Sequence, residues 1–282
     1  MNLQNTIAYL GPQGTYCNEA ALYFAEALGL DEPELVPCAT FDEVFDCVDR
    51  GRAAYGVVAK ENSIEGPVTA TLDNFAFRSS AVILGERIVD VHHCLVMHPD
   101  AAIEDIETVA SHAQGIAQCR RFLSERLPGR RTLTVSSTAE SARLAATERC
   151  TAGIANALAA RVHGAEVRFK GIEDHFGNQT VFALIGRPGS APQLQGRAMK
   201  TSLALFMRED RAGTLHMILS EFAFANINLT MIQSRPTKQQ LGEYMFFIEF
   251  PGSVNDIEVQ TALNCLRLKL REVKVLGSYP VG

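Results

Sequence analysis

The chain has 282 residues, of which 47% are hydrophobic, and a formal net charge of −6. This length is typical of two domains with sizeable cores, and the intermixed charges exclude a surface dedicated to nucleic acids. The N-terminal segment lacks a basic and then apolar signal, and no run approaches the ~18 apolar residues that span a bilayer, so we expect a cytoplasmic protein without membrane partners.

The first two thirds of the chain alternate apolar, strand-like runs with amphipathic helical segments. The strand-like runs are TIAYL, AYGVVA, TLTVS, TAGIA and TVFALIG, and the helical segments include EAALYFAEAL, FDEVFDCV and ESARLAAT. This alternation predicts an α/β domain with a largely parallel sheet covered by helices. Ligands of such sheets bind where strands end and loops begin.

The first strand is followed by a glycine-rich turn, YLGPQGTY, at residues 9–16. Backbone N–H groups at the start of the next helix could meet an anion there, which makes Gly14 and Thr15 candidates for substrate binding. A tight turn without a ligand has the same pattern.

A dense polar set ends the third strand, in AKENSIEG at residues 59–66. The candidates are Lys60, Glu61, Asn62 and Ser63. Strand alternation predicts that Lys60 projects to the same side as Asn62. The alternative is a helix N-cap formed by Asn62 or Ser63.

The stretch HHCLVMH, residues 92–98, invites a metal site because alternation puts His92 and Cys94 on one face. No HExxH or paired-cysteine motif supports it, so we expect no metal and treat the histidines as packing residues. The cysteines are odd in number and lack a CxxC pair, which indicates reduced thiols.

A further strand ends at Ser111 in SHAQGIAQC, residues 111–119, and a helix follows. Gln114 and Gln118 lie one helical turn apart and therefore share a face. Neutral amides there suit a polar substrate, although a solvated helix face has the same spacing.

The last strand of this part begins in GNQTVFALIG, residues 177–186, where Asn178, Gln179 and Thr180 stand at the strand mouth. A Pro- and Gly-rich linker, residues 188–198, comes next. Residues 199–282 then read strand, helix, strand, strand, helix, strand, the ferredoxin-like βαββαβ plan. Small domains of this kind more often regulate or oligomerise than catalyse.

Together and in this order, these stretches resemble the prephenate dehydratase family, and residues 199–280 resemble its ACT domain. The resemblance implies a two-lobed, periplasmic-binding-protein-like catalytic domain over residues 1–187 that needs no metal or organic cofactor. It implies a lyase that converts prephenate to phenylpyruvate in phenylalanine biosynthesis, by expelling CO2 and the ring hydroxyl together.

The resemblance also implies roles for individual residues. Thr180 matches the essential threonine that would hydrogen-bond the leaving hydroxyl, and Asn62 and Gln118 match amides that bind substrate. The remaining substrate-binding candidates on these motifs are Ser63, Lys60, Glu61, Ser111, Phe182, Gly14 and Thr15.

Several positions depart from the family pattern, above all Val181, where the family has an arginine expected to hold a substrate carboxylate. We hypothesise that Lys60 supplies the missing charge. A second hypothesis is a non-aromatising prephenate decarboxylase, because an apolar carboxylate contact would favour loss of CO2. A third is a non-catalytic ligand-binding protein that keeps the fold, although Asn62, Gln118 and Thr180 are retained.

In the ACT part, Gly213, Leu215, Asn228 and Ser234 occupy the motif positions that would bind L-phenylalanine as an effector. Thr214 and Gln233 depart from the usual pattern, so a domain that only dimerises is the alternative. An exposed sheet edge leads us to expect a homodimer or homotetramer with effector sites at the interface.

Overall fold

A computed structural model describes residues 3–190, 192, 194–196, 198–209, 211–238 and 243–281. The chain forms two compact units. The first comprises Met1–Thr71 and Ile88–Phe182, and the second comprises Leu72–Arg87 and Ala183–Gly282. No helix in the described part of the chain is both long and apolar enough to span a membrane.

The strands and helices follow the predicted alternation. The strands are β1 Thr6–Leu10, β2 Glu34–Cys38, β3 Tyr55–Asn62, β4 Gly66–Pro67, β5 Val82–Asp90, β6 Cys94–Met97, β7 Thr108–Ser111, β8 Arg131–Thr134, β9 Thr151–Ala155, β10 Glu166–Lys170, β11 Gln179–Gly186, β12 Ala198–Phe206, β13 Met231–Pro236, β14 Tyr244–Pro251 and β15 Glu272–Val281. The helices are α1 Tyr16–Ala27, α2 Phe41–Asp49, α3 Thr69–Asp73, α4 Ala113–Gln118, α5 Arg120–Arg126, α6 Thr138–Thr147, α7 Ala157–His163, α8 Thr214–Phe224 and α9 Ile257–Lys269.

The first unit contains two sheets, which confirms the predicted two-lobed α/β plan. In one sheet, β1 pairs in parallel with β2 and β3, and β11 lies beside β3. The other has the order β10-β6-β9-β7-β8, with β7 parallel to both β8 and β9. Residues 91–93 lead from β5 into this second sheet, and residues 171–178 lead back to β11.

Helix α6 lies directly on β9 because both surfaces carry small residues. Ala139, Ala142 and Ala145 are fully buried, and a Cβ on Gly153 would come within 2.6 Å of the Ser141 carbonyl oxygen. This close packing fixes the position of the N-terminal turn of α6.

The second unit confirms the βαββαβ order with β12, α8, β13, β14, α9 and β15, in a sheet ordered β13-β14-β12-β15-β5. Its core packs residues of both helices, such as Ile218, Phe222 and Leu263, against the sheet. Its second strand, β13, begins at Met231, beyond the last helical residue Phe224 and the C-cap Ala225.

The sequence does not reveal that residues 72–87 belong to this second unit. Asp73 receives hydrogen bonds from Arg235 at 2.5 Å and from Lys238 at 2.6 Å. Lys274 donates to the carbonyl oxygens of Phe75 and Ser79. Charged groups far apart in the sequence therefore hold the segment in place.

Candidate active site

A cavity of about 400 Å³ opens in the first unit among strand ends and helix starts of both sheets. The elements around it are the same ones whose ends carry the polar motifs. Its lining includes Leu10, Gly11, Thr15, Tyr16, Cys17, Phe41, Ala59, Asn62, Glu65, Val68, Val91, His93, His112, Gln114, Gly115, Gln118, Ser136, Ser137, Thr138, Asn178, Thr180 and Phe182.

One wall of the cavity is a hydrogen-bond network between the end of β3 and the start of β11. The side-chain amide of Asn62 donates to Asn178 Oδ1 at 2.7 Å and to Thr180 Oγ1 at 2.9 Å. It also lies 3.1 Å from the carbonyl oxygen of Gln179. Thr180, only 8% exposed, is thus held by a donor, and its hydroxyl hydrogen has no acceptor in the part of the chain that the structure describes.

The hydrogen bonds of the Asn62 side-chain oxygen fix the orientation of its amide. Its Oδ1 accepts the backbone N–H groups of Ile64 and Glu65, each at 3.0 Å. Since the oxygen is occupied, the NH2 group must face Thr180. Asn62 therefore stabilises a turn after β3, and the alternative that it caps a helix is wrong.

A second wall carries Gln118, at the C-terminal end of α4. Its Oε1 lies 2.8 Å from Nε2 of His93, a residue in the segment between β5 and β6. Gln114 also lines the cavity, so the shared face predicted for the two glutamines is observed. Gln114 Nε2 donates to Glu65 Oε1 at 3.1 Å.

Glu173 fixes the segment that carries His92 and His93. Its carboxylate accepts the backbone N–H of His93 at 2.9 Å and contacts Nδ1 of His92 at 2.8 Å. Burial alone would raise the pKa of Glu173, but the hydrogen bonds from His92 and from the His93 backbone lower it overall. An ionised carboxylate therefore sits beneath the two histidines.

The cavity can accept an anion although its described lining contains no lysine or arginine. The N-terminal turns of α1 and α6 border it with Thr15, Tyr16, Ser137 and Thr138. Helix starts present free N–H groups and a partial positive charge, which favours carboxylates.

Cysteine nucleophiles do not fit this site. Burial raises the pKa of both the Cys17 and the Cys119 thiol to about 12, so neither forms a thiolate near neutral pH. The described residues also include no group of three or more His, Cys, Asp or Glu side chains that could hold a metal ion.

Comparisons with known proteins agree with this geometry. The family model for prephenate dehydratase matches residues 7–190, and that for the ACT domain matches residues 201–264. The prephenate dehydratase of Mycolicibacterium vanbaalenii is 37% identical over 287 residues, covering 98% of this chain and 91% of the relative. The chain belongs to the prephenate dehydratase family.

Solved structures extend the likeness to three dimensions. A prephenate dehydratase from Arthrobacter aurescens in complex with L-Phe matches with a TM-score of 0.87 and 37% identity, over 98% of this chain and 90% of that one. GqqA, described as a novel type of quorum quenching acylase, matches with a TM-score of 0.86 and 25% identity, over 98% of both chains. Because a protein of the same fold is described as an acylase and not as a prephenate dehydratase, the fold does not identify the reaction, which must be argued from the cavity residues.

Five of the residues predicted for the family's substrate site line the cavity, namely Thr180, Asn62, Gln118, Phe182 and Thr15. Gly14, Glu61 and Ser63 do not. The Gly14 N–H is bound to Asn18 Oδ1, and Glu61 pairs through its backbone with Pro67. Ser63 Oγ accepts the backbone N–H of Gln179 at 2.9 Å, which ties β3 to β11.

Ser111 is fully buried and also lies outside the lining. Its hydroxyl donates to the Ile154 carbonyl oxygen at 2.9 Å. A Cβ on Gly115 would approach Ser111 Oγ to 2.6 Å, so glycine lets α4 rest on this serine. The residue supports the site structurally and does not face it.

Lys60 and Val181 are the departures that mattered most to the sequence interpretation, and neither lines the cavity. Lys60 is 3% exposed, while its neighbour Ala59 faces the cavity. Thr180 and Phe182 likewise face it, so strand alternation turns the half-buried Val181 to the opposite side. The expectation that Lys60 projects with Asn62 fails because Ala59 and Asn62 both line the cavity, so strict alternation is already lost at the last residues of β3.

The sequence interpretation missed His93, which we expected to be a packing residue, and Glu65. The doublet His92-His93 was the available signal, but β6 begins only at Cys94. The alternation used to orient the histidines therefore did not apply.

The four predicted effector residues are all exposed in the second unit. Gly213 is the N-cap of α8, with φ of 89°, a left-handed conformation that favours glycine. Leu215 lies in the first turn of α8, Asn228 precedes β13, and Ser234 lies within β13.

Proposed function

We propose that this chain converts prephenate to phenylpyruvate, with coupled loss of CO2 and of the ring hydroxyl. The observation that carries the proposal is the Thr180 hydroxyl at the cavity wall, held through its oxygen by Asn62 at 2.9 Å. Membership of the prephenate dehydratase family supplies the substrate class.

For this reaction the protein must orient the substrate and supply one hydrogen-bond donor to the leaving hydroxyl. Electrons of the breaking bond to CO2 flow through the ring to the departing hydroxyl, and the ring becomes aromatic. Because Asn62 donates to the Thr180 oxygen, the threonine hydrogen is directed toward the substrate hydroxyl. A hydrogen bond that strengthens as charge develops on the leaving oxygen lowers the barrier.

The two substrate carboxylates are assigned to the helix starts around the cavity. The turns at Thr15 of α1 and at Ser137 of α6 offer backbone donors without a cationic side chain. The missing arginine at position 181 then requires no replacement, because Val181 is turned away from the cavity.

The test is to incubate the purified protein with prephenate at neutral pH and to identify the product by ultraviolet absorbance and proton NMR, beside an enzyme-free control. Aromatic phenylpyruvate signals formed faster than in the control support the proposal. Vinylic signals of a dihydro-hydroxyphenylpyruvate would replace it with the decarboxylase. Binding without turnover would indicate the non-catalytic protein.

L-phenylalanine is the proposed effector, acting on a homodimer or a homotetramer. The exposure of Gly213, Leu215, Asn228 and Ser234 supports a site that a second copy completes. Within the described residues β13 has β14 as its only neighbour in the sheet, which leaves a strand edge for pairing. Sedimentation with and without phenylalanine, alongside inhibition assays, tests both parts.

A further inference from the structure

His93 and Gln118 form a polar pair at the cavity, in which Gln118 matches a family motif and His93 has no role assigned above. The imidazole, 3% exposed, meets the amide oxygen at 2.8 Å. Within the described part of the chain, His93 Nδ1 and Gln118 Nε2 are buried and have no hydrogen-bond partner. Both side chains line the cavity that also contains Thr180.

The pair could in principle be arranged in two ways, and the free groups distinguish them. If His93 Nε2 donates to the amide oxygen, the neutral ring carries no hydrogen on Nδ1, and the only unpaired donor group is the amide NH2 of Gln118. If the amide is reversed, the ring must carry its hydrogen on Nδ1, which leaves a buried histidine donor unpaired. Each arrangement leaves a donor group without a partner. The structure has the first one, with the Gln118 oxygen at the imidazole, and only this arrangement leaves the amide NH2 free to donate to an oxygen of a bound anion.

The backbone around the pair is fixed from both segments that connect the two sheets of the first unit. The His93 N–H is bound to Glu173 Oε2 at 2.9 Å, and the His93 carbonyl oxygen accepts the Ile172 N–H at 3.1 Å. The Gln118 carbonyl oxygen accepts the Asp174 N–H at 2.6 Å. Neither residue of the pair can therefore shift without breaking these bonds.

We propose that His93 is a positioning residue, which holds the Gln118 amide so that its NH2 group donates to an oxygen of the substrate. The inference rests on the proposed function for the identity of that substrate. Without the imidazole donor, the amide would rotate freely and present its oxygen to a dianion for part of the time. Gln118 Nε2, which has no partner among the described residues, is the group that the substrate satisfies.

The experiment compares His93→Leu, Gln118→Met and the double variant in steady-state turnover of prephenate. We expect His93→Leu to lower kcat about 10- to 100-fold while KM changes by less than about threefold, because misorientation weakens the transition state. In the Gln118→Met background the histidine change should have less than about a twofold further effect, since it acts through the amide.

Two variants serve as controls. His93→Gln places a donor near the original Nε2 and should recover most of kcat, whereas a purely packing role would not distinguish it from leucine. His92→Leu removes the neighbouring imidazole, which is 63% exposed, and keeps the His93–Gln118 pair. It should change kcat by less than about threefold. His93→Asn, a shorter polar side chain, replaces His93→Leu if the leucine variant does not fold.

A second readout does not depend on turnover. The Gln118 side-chain NH2 resonances, assigned by their absence in Gln118→Met, should shift in His93→Leu and keep their position in His92→Leu. Additive losses in the double variant, or unchanged resonances, would overturn the positioning role. If the wild-type protein does not turn over prephenate, the proposed function is wrong. The positioning role of His93 is then tested by the Gln118 resonances alone.

Discussion

The cavity of the first unit and the effector positions of the second differ in how complete they are within one chain. Asn62, Thr180 and Gln118 are held by short hydrogen bonds to their own chain, whereas Leu215 and Ser234 are exposed. A site whose groups are already oriented can act as soon as its substrate binds. The exposed residues belong to the effector site that we propose, which a second copy would enclose.

The largest effect should come from Thr180→Val, which keeps the shape and removes the hydroxyl. We expect kcat to fall about 100-fold or more, because the leaving oxygen loses its donor. Thr132→Val, on the exposed strand β8, is the matched control and should keep wild-type kcat. If the Thr180 variant kept wild-type kcat, the donor would have to be sought elsewhere in the cavity.

A change at the proposed effector residues should alter the affinity for phenylalanine and leave kcat unchanged. Leu215→Ala removes apolar contact from a site that we assign to phenylalanine, so the inhibitory concentration should rise about tenfold while kcat without effector is unchanged. Leu268→Ala, a leucine that is 77% exposed on α9, is the control. Equal inhibition of both variants would remove Leu215 from the effector site.

Ser111→Ala tests whether Ser111 stabilises the fold or contacts the substrate. Its hydroxyl bonds the Ile154 carbonyl oxygen, which also accepts Ser141 Oγ, so the loss leaves that carbonyl satisfied. We expect the free energy of unfolding to fall by about 1 kcal/mol, measured by urea denaturation, and kcat to change by less than about twofold. A large loss of kcat at unchanged stability would return Ser111 to the substrate site.

Val181→Arg should have the smallest effect. The side chain points away from the cavity, so restoring the family's arginine should change kcat/KM by less than about threefold. A gain of tenfold or more in prephenate affinity would show that position 181 reaches the substrate after all. The comparison with Thr180→Val then tests strand alternation directly, since the two positions are adjacent.

Much of the fold follows from local sequence pattern. Hydrophobic periodicity and turn residues predicted the α/β alternation and the βαββαβ order, and the structure confirms both. The resemblance to the prephenate dehydratase family named Asn62, Gln118 and Thr180 as site residues, and all three line one cavity in the structure.

Side-chain direction was less predictable where regular strands stop. Lys60 and Asn62 were expected on one side, but Ala59 and Asn62 line the cavity and Lys60 does not, so the alternation is lost at the last residues of β3. His93 precedes its strand by one residue, and its partner Gln118 lies 25 residues further on. No periodicity connects two such positions.

The sequence by itself determined which elements form, in what order, and which residue types stand at their ends, because these depend on interactions between near neighbours in the chain. The tertiary structure decided which of those residues face the cavity and which support it, as with Ser111 behind α4 and Glu173 behind His93. It also decided that residues 72–87 join the second unit. These outcomes depend on contacts between distant segments, which only packing and hydrogen bonding in three dimensions can select.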